Sequence, residues 1–184
     1  MAPAPLLTTD EYLSTPETLQ PTEVIYGALR VADAPTVRHQ QALCAFLVAL
    51  ALHVRERRLG TVLVSPLDII LDYTRALIVQ PDLVFISQER RDILRQERVI
   101  GAPDMVLEVL SPHPRIGKLQ ERIDWFAEYG VREIWLLHQL EETFEILTVE
   151  RRRVGGRRTF DYLTPIASDV LPDFGLTLEK ILQD

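Results

Sequence analysis

The chain has 184 residues, 47% of them hydrophobic and 26% charged; at roughly 100 to 200 residues per domain this predicts one folded unit with a sizeable core and excludes a disordered or collagen-like chain. The formal net charge of −7 repels phosphate overall, so nucleic acid would have to be held at a local basic patch or through metal ions. The one cysteine, Cys44, lies in an apolar run without a partner, which excludes a disulfide framework and a cysteine-based zinc site and makes a reducing cytoplasm the expected compartment.

The longest apolar run, Ala42 to Leu52, is about half of the roughly 20 residues a membrane span needs. No basic segment precedes an apolar one at the N-terminus, so no membrane partner is expected.

Thr8 and Glu11 have the spacing of a capping box and predict a short helix over Thr8 to Leu13, stopped at Pro16. Thr22 to Val31 alternates around Gly27 and reads as two short strands or one bent one, with Glu23 near its start. Pro35 to Arg58 is the first long helix, with Leu43, Phe46, Leu47, Leu50 and Val54 recurring at three- and four-residue steps. Arg55, Arg57 and Arg58 suit the negative end of its dipole, and Gly60 supplies a left-handed stop.

From Thr61 to Ser87 the texture turns to β-branched and aliphatic runs broken by Pro66, Asp72 and Pro81. Three strands are predicted there: Val62 to Ser65 running on to Leu71, then Leu77 to Val79, then Leu83 to Ile86. Arg90 to Arg98 reads as a charged surface turn of helix. Met105 to Leu110 is apolar except for Glu108, as expected of a strand buried on both faces. Lys118 to Tyr129 is the second long helix, with Leu119, Ile123 and Phe126 inward and Gly130 as its stop. Glu133 to His138 and Thr143 to Val149 follow as strands, and Phe160 to Leu163 as an edge. The order predicts an α/β fold with a mixed central β-sheet flanked by helices. One domain over 1–184 is expected: an N-terminal helix and strands (1–34), a core (35–138) and C-terminal strands with a short helix (139–184).

Two acidic residues stand out, Asp82 in Pro81-Asp82-Leu83-Val84-Phe85 and Glu108 in Glu108-Val109-Leu110, on neighbouring predicted strands. An ionised carboxylate inside a sheet costs several kcal/mol unless a cation or strong donors compensate it. A divalent cation would do so, and hard oxygen ligands suit Mg²⁺ or Mn²⁺. The alternative is structural: Asp82 turns the chain after Pro81, and Glu108 pairs with an arginine.

The sequence here resembles the Uma-two-type restriction endonucleases, a branch of the PD-(D/E)XK nuclease superfamily. The matching stretches are Glu23-Val24-Ile25 before Gly27, His39 opening the first helix, Gly60-Thr61-Val62 leading to Ser65-Pro66-Leu67-Asp68, Pro81-Asp82-Leu83-Val84-Phe85-Ile86, Gly101 to Pro112 around Glu108, and Gly130-Val131-Arg132-Glu133-Ile134-Trp135. The resemblance implies a restriction-endonuclease-like sheet core, metal ligation by Asp82 and Glu108, and the backbone carbonyl of Val109 as a further ligand. The family's N-terminal acidic residue falls on Glu23, which would complete the site.

Two positions depart from that pattern. The superfamily lysine two residues after the glutamate, on the same strand face, is Leu110 here. The family's lysine on the following helix is Arg122, and the aspartate four residues before it is Lys118. Positions four apart share a helix face, so Lys118 can stand beside Arg122 and take over the role. Arginine stabilises phosphoryl charge but, with a pKa above about 12, accepts no proton.

His39 reads either as a helix-start residue or, from the resemblance, as one reaching the site. His113 stands where the family has serine, and His53, on the polar side of its helix, and His138 read as bystanders. Arg151, Arg152, Arg153, Arg157 and Arg158 flank Gly155-Gly156, a predicted hairpin tip that either grips a phosphate backbone or is balanced by Glu141, Glu142, Glu145 and Glu150. Trp125 and Trp135 read as packing residues.

The resulting expectation is a Mg²⁺- or Mn²⁺-dependent endonuclease acting on DNA. In it Asp82 and Glu108 hold metal, Glu23 is accessory, and Lys118 or Arg122 is the cationic stabiliser; a homodimer would cut both strands. The alternative is a non-catalytic binding or assembly module that keeps the nuclease fold.

Overall fold

The computed structural model describes residues 5–16, 18, 20–32, 34–110 and 119–183. Helix α1 (Thr9–Leu13) has the predicted capping box, with Thr8 Oγ1 accepting from the Glu11 amide and Glu11 accepting from the Thr8 amide. Strands β1 (Thr22–Ile25) and β2 (Ala28–Val31) form a hairpin turned at Tyr26 and Gly27, both with positive φ as a tight two-residue hairpin turn requires. Helix α2 (Val37–Arg57) is capped by Thr36 and ends at Arg58, itself left-handed, two residues before the expected glycine. Gly60 serves a different purpose: it opens β3 (Gly60–Val64), where a Cβ would run into the Ile86 carbonyl.

Strands β4 (Ile69–Asp72), β5 (Leu77–Val79) and β6 (Leu83–Ser87) follow, then a 3-10 turn over Gln88–Ile93, β7 (Val99–Ile100) and β8 (Met105–Leu110). Helix α3 (Leu119–Tyr129), β9 (Glu133–His138), β10 (Thr143–Glu150), β11 (Arg153–Phe160) and α4 (Leu178–Leu182) complete the described chain.

The strands form two mixed sheets where one was expected. The larger has the order β11-β10-β9-β8-β6-β3, parallel only at β8–β9, and the smaller has the order β2-β1-β5-β4-β7, parallel only at β4–β7. The strand predicted from Val62 on to Leu71 is therefore two strands in different sheets. They part at Ser65-Pro66, since proline cannot donate to a ladder. The predicted edge at Phe160–Leu163 is the last residue of β11. The β10–β11 tip is at the left-handed Arg151 and Arg152, while Gly156 pairs with Thr148 inside the ladder beside a register shift.

Alternation along the central strands sorts the core. Leu83 and Phe85 of β6 and Met105, Leu107 and Val109 of β8 face α2 and α4, where Phe46 and Leu50 are fully buried. Val84, Ile86 and Val106 face α3 and the smaller sheet, meeting Phe126, Ile69 and Leu77. Val24, Ile70, Ala76 and Ile78 on the far side of the smaller sheet pack under Tyr12 and Leu13 of the α1 segment. Helix α2 is long and apolar enough, by length and composition alone, to pass as a membrane span. Its Leu43–Phe46–Leu50–Val54 stripe is spent on the sheet.

Candidate active site between the two sheets

Glu108 shares its strand face with Val106, so it points away from α2 and toward α3 and the smaller sheet. The β6–β8 pairing ends at Leu83 opposite Leu107, and Asp82, just before β6, accepts from the amide of Val109, the residue after Glu108. Glu23 shares a face of β1 with Ile25 and so looks back at the larger sheet. Three carboxylates, Glu23 of β1, Glu108 of β8 and Asp82 just before β6, thus converge where the first described turn of α3 passes, and Arg122 enters among them.

The guanidinium is bound at every side. Nη1 donates to both oxygens of Glu23 at 2.8 Å, Nη2 donates to Glu108 Oε1 at 2.6 Å, and Nε donates to the same oxygen at 3.2 Å. Arg122 is buried, and its charge lies 5.5 Å from the centre of the Phe126 ring. Arg122 is thus a fixed cation whose fork bridges Glu23 of β1 and Glu108 of β8. Lys118, Val109's neighbours from Ser111 onward and His113 lie outside the described residues.

Asp82 is held by two groups. The Val109 amide donates to Oδ2 at 2.7 Å, and His39 Nε2 lies 3.2 Å from Oδ1. His39 therefore reaches the site, as the resemblance implied, from the first turn of α2, while its amide is also capped by Thr36. The Asp82 hydrogen bond, together with the charges of Asp82 and Glu108, holds the imidazole pKa above its ordinary value against the opposing effect of burial.

Burial pushes the Glu108 carboxyl up to about 7; Asp82 and Glu23 push the same way, and the Arg122 guanidinium only partly offsets them. Arg122 in turn is held more firmly protonated by Glu108 and Glu23, despite its burial. Three carboxylates face one fixed cation, which leaves the cluster two negative charges in excess when all three are ionised and His39 is neutral. A divalent cation fits that excess. Among the described residues no three His, Cys, Asp or Glu side chains enclose a metal by themselves, but Mg²⁺ is commonly held by one or two carboxylates, with water and substrate phosphate filling its shell. Asp82 and Glu108 would supply such a pair, and the described residues give Glu108 Oε2 no partner.

Behind Glu23 lies a support that sequence reasoning missed. The Gln80 amide donates to Glu23 Oε1 at 2.8 Å, Gln80 Nε2 donates to Asp68 Oδ1 at 2.9 Å, and the Thr22 amide donates to Gln80 Oε1 at 3.1 Å. Tyr12 from α1 donates to the same Asp68 oxygen at 3.2 Å. The available signal was Gln80 two residues before Asp82, and Asp68 in Ser65-Pro66-Leu67-Asp68.

Two further buried carboxylates were also missed. Asp104 accepts from the Ser87 amide at 2.7 Å and pairs with Arg132 at 3.3 Å. Glu133 accepts from Trp135 Nε1, Ser168 Oγ, the Asp169 amide and Arg158 Nη2 at 2.7 to 3.2 Å. Both are fully paired by neighbours that fasten strand ends, and neither faces the cluster.

Arg158 is thus a structural partner of Glu133 and Asp169, and Arg157 lies 3.4 Å from Glu145. Arg151, Arg152 and Arg153 are exposed at the hairpin tip. His53 is buried rather than on the polar side of α2: it bonds the Pro172 carbonyl and packs edge-on to Phe174. His138 lies 3.3 Å from Glu145, away from the cluster. Trp125 and Trp135 are buried packing residues, as expected.

A model of the Uma2 family, described as "Putative restriction endonuclease", matches residues 9–179. No curated protein matches the sequence. A crystal structure of a protein described as a putative nuclease belonging to DUF820, from Anabaena variabilis, aligns with a TM-score of 0.78 at 20% identity, over 96% of this chain and 97% of that one. At that identity the likeness carries the fold alone.

Proposed function

The chain belongs to the Uma2 family, and from that premise we propose that it is a divalent-metal-dependent nuclease that hydrolyses phosphodiester bonds in DNA. The observation that carries the reading is the convergence of Asp82, tied to the Val109 amide, with Glu108 and Glu23 in a cluster of three carboxylates around the one guanidinium of Arg122. Asp82, Glu108 and the Val109 carbonyl would hold Mg²⁺ or Mn²⁺. When bound, such an ion lowers the pKa of a water and neutralises phosphate charge.

The remaining work falls to the chain. His39 and the Val109 amide fix the Asp82 carboxylate in one orientation, and Glu23 fixes the guanidinium that steadies Glu108. Arg122 supplies permanent positive charge toward a phosphate but cannot take a proton. A cation that moves freely toward the substrate has to come from elsewhere, and Lys118, four residues before Arg122 in the sequence, is our candidate. Cutting both strands in one encounter takes two copies of the site, so the active species we propose is a homodimer, and the exposed tip arginines Arg151, Arg152 and Arg153 are candidates for holding the phosphate backbone.

A second reading is favoured by one observation: Arg122 occupies Glu108 Oε1 and both oxygens of Glu23, as a permanent structural lock would in a binding module without turnover. Incubation with single- and double-stranded DNA and RNA in Mg²⁺, Mn²⁺ or Co²⁺, with chelator controls and calorimetric metal titration, separates the two. Metal-dependent cleavage abolished by Asp82→Asn supports the nuclease. Metal binding with no cleavage supports the module, and neither binding nor cleavage sinks the metal site itself.

A further inference from the structure

We propose that Gln80 is a positioning residue of the candidate site: oriented by Asp68, it fixes the Glu23 carboxylate and, through Glu23, the angle at which the Arg122 guanidinium faces Glu108. Its consequence for metal affinity rests on the reading of Asp82 and Glu108 as a metal site, whereas the bracing itself is a property of the metal-free protein.

Gln80 stands between β5 and β6, two residues before Asp82. The β1–β5 ladder pairs Val24 with Ile78 and Ile25 with Leu77, and Gln80 lies beyond it. There it grips two consecutive residues of β1. Its main-chain amide donates to Glu23 Oε1 at 2.8 Å, and its side-chain oxygen accepts from the Thr22 amide at 3.1 Å. The other side of the same side chain, Nε2, donates to Asp68 Oδ1 at 2.9 Å. Tyr12 of α1 donates its hydroxyl to that oxygen at 3.2 Å, so Asp68 is itself held from the far side.

Those neighbours dictate the residue type. The Thr22 N–H can only donate and an ionised Asp68 can only accept, so both are satisfied only by a head group that carries an acceptor and a donor, and in only one of its two orientations. A glutamate would set a second carboxylate oxygen against Asp68. A leucine would meet neither partner.

Glu23 is 3% exposed, and Arg122 Nη1 lies 2.8 Å from each of its oxygens. A donor equidistant from both oxygens does little to fix the rotation of a carboxylate about its Cγ–Cδ bond. The Gln80 amide, bound to Oε1 alone, does fix it. The guanidinium is planar and rigid, and its Nε and Nη2 go to Glu108 Oε1, so a turn of Glu23 is passed across the fork to Glu108. The sequence Gln80-Pro81-Asp82 also sets this brace and the Asp82 carboxylate on one short turn whose middle φ is locked by proline. Side chains that hold a metal depend on such outer partners, whose loss typically lowers affinity by roughly 10- to 100-fold.

Nuclear magnetic resonance of protein carrying isotopically labelled arginine, without metal, reads Arg122 directly, its guanidinium signals being those that Arg122→Lys removes. In the parent the Nη protons should be separately resolved, because a fork bonded on both sides does not rotate. Gln80→Glu should broaden or merge them. Gln80→Glu combined with Asp68→Asn exchanges donor and acceptor between the two side chains and should bring them back. Gln80→Leu introduces no charge and should blur them as well, which keeps the outcome independent of whether the glutamate variant folds. Tyr129→Phe removes a bond to Asp72 of the same smaller sheet and should leave the Arg122 signals as they are. In calorimetric titration with Mn²⁺, affinity should fall roughly tenfold or more in Gln80→Glu and recover in the double variant. Arg122 signals that neither Gln80 variant moves, no recovery in the double variant, an equal loss in Tyr129→Phe, or an Mn²⁺ affinity that the Gln80 variants leave unchanged would each overturn the inference. A parent protein that binds no Mn²⁺ would instead end the metal-site reading, and the arginine signals would still decide whether Gln80 braces Arg122.

Discussion

Replacing Glu108 by glutamine tests whether the buried cluster waits for a cation or is content with Arg122. Without metal, burial pushes the Glu108 carboxyl up to about 7, against about 4.5 for a glutamate in the unfolded chain. A carboxyl whose folded pKa is raised is easier to bury protonated. The protein therefore loses stability as pH rises from about 4.5 to about 7 and loses no more above that. At about 1.4 kcal/mol per pKa unit the full loss is about 3 kcal/mol. The glutamine amide resembles the protonated acid, and its oxygen can still accept from Arg122 Nε and Nη2. Glu108→Gln should thus match the parent near pH 5 and exceed it by about 3 kcal/mol at pH 8 in chelator. Urea denaturation at both pH values measures this. With saturating Mg²⁺ the order should narrow or invert at pH 8, because binding to the folded parent adds stability that the variant cannot gain. If the variant is less stable at pH 8 without metal, the Arg122 ion pair outweighs burial and the excess-charge reasoning is wrong.

Arg122→Met strands two buried carboxylates and should cost about 3 to 5 kcal/mol in urea denaturation; a cost below about 1 kcal/mol would mean the guanidinium is not holding them. Arg122→Lys, the residue the family resemblance puts there, keeps the charge but not the three-point geometry, so stability should fall while any cleavage is kept or raised, as gel assays with Mg²⁺ would report. The His39 pKa is raised, so the stability from its contact with Asp82 is present below the ordinary histidine value and fades as pH rises through the folded one. His39→Ala should accordingly lower the melting temperature at pH 6 and barely change it at pH 9, and an equal loss at both would point to packing alone. Arg158→Ala should destabilise by exposing the need of buried Glu133 for a partner, by about 1 to 3 kcal/mol, whereas Arg151→Ala with Arg152→Ala should weaken DNA retention and leave the melting temperature alone.

Local rules carried much of the fold. The Thr8–Glu11 box, the α2 core stripe and the apolar run around Glu108 each depend on neighbours within a few residues, and each appears where expected. What stayed hidden depends on distance. Glu23 and Arg122 are 99 positions apart, and nothing near either one marks their bond. The split between β3 and β4 sends the chain into a second sheet, a choice made by what each segment packs against rather than by its own alternation. Strand β11, with Arg153, Gly155, Gly156, Arg157 and Arg158, lacks the apolar period of a strand because its exposed edge needs none; β10 supplies the pairing. The helix stop fell on Arg58 because a left-handed residue closing a helix need not be glycine when the following residue, Leu59, is pulled back to bond the Val54 carbonyl.

The position of Arg122 ties two properties of the protein together. Glu23 belongs to the smaller sheet, Glu108 to the larger, and the guanidinium that joins them comes from the helix lying against both. A lysine there would be a compact point charge, free to turn toward a substrate but unable to hold two carboxylates on different sheets at fixed angles. Arginine gives up that mobility for a rigid fork, so the cluster's charge and the seating of one sheet on the other rest on the same three hydrogen-bonding groups. Any cation that draws the Glu108 carboxylate toward itself acts on this joint as well, because it competes with Nε and Nη2 for the same side chain. That is why the pH dependence of stability, read with and without metal, reports on the site even before a substrate is known.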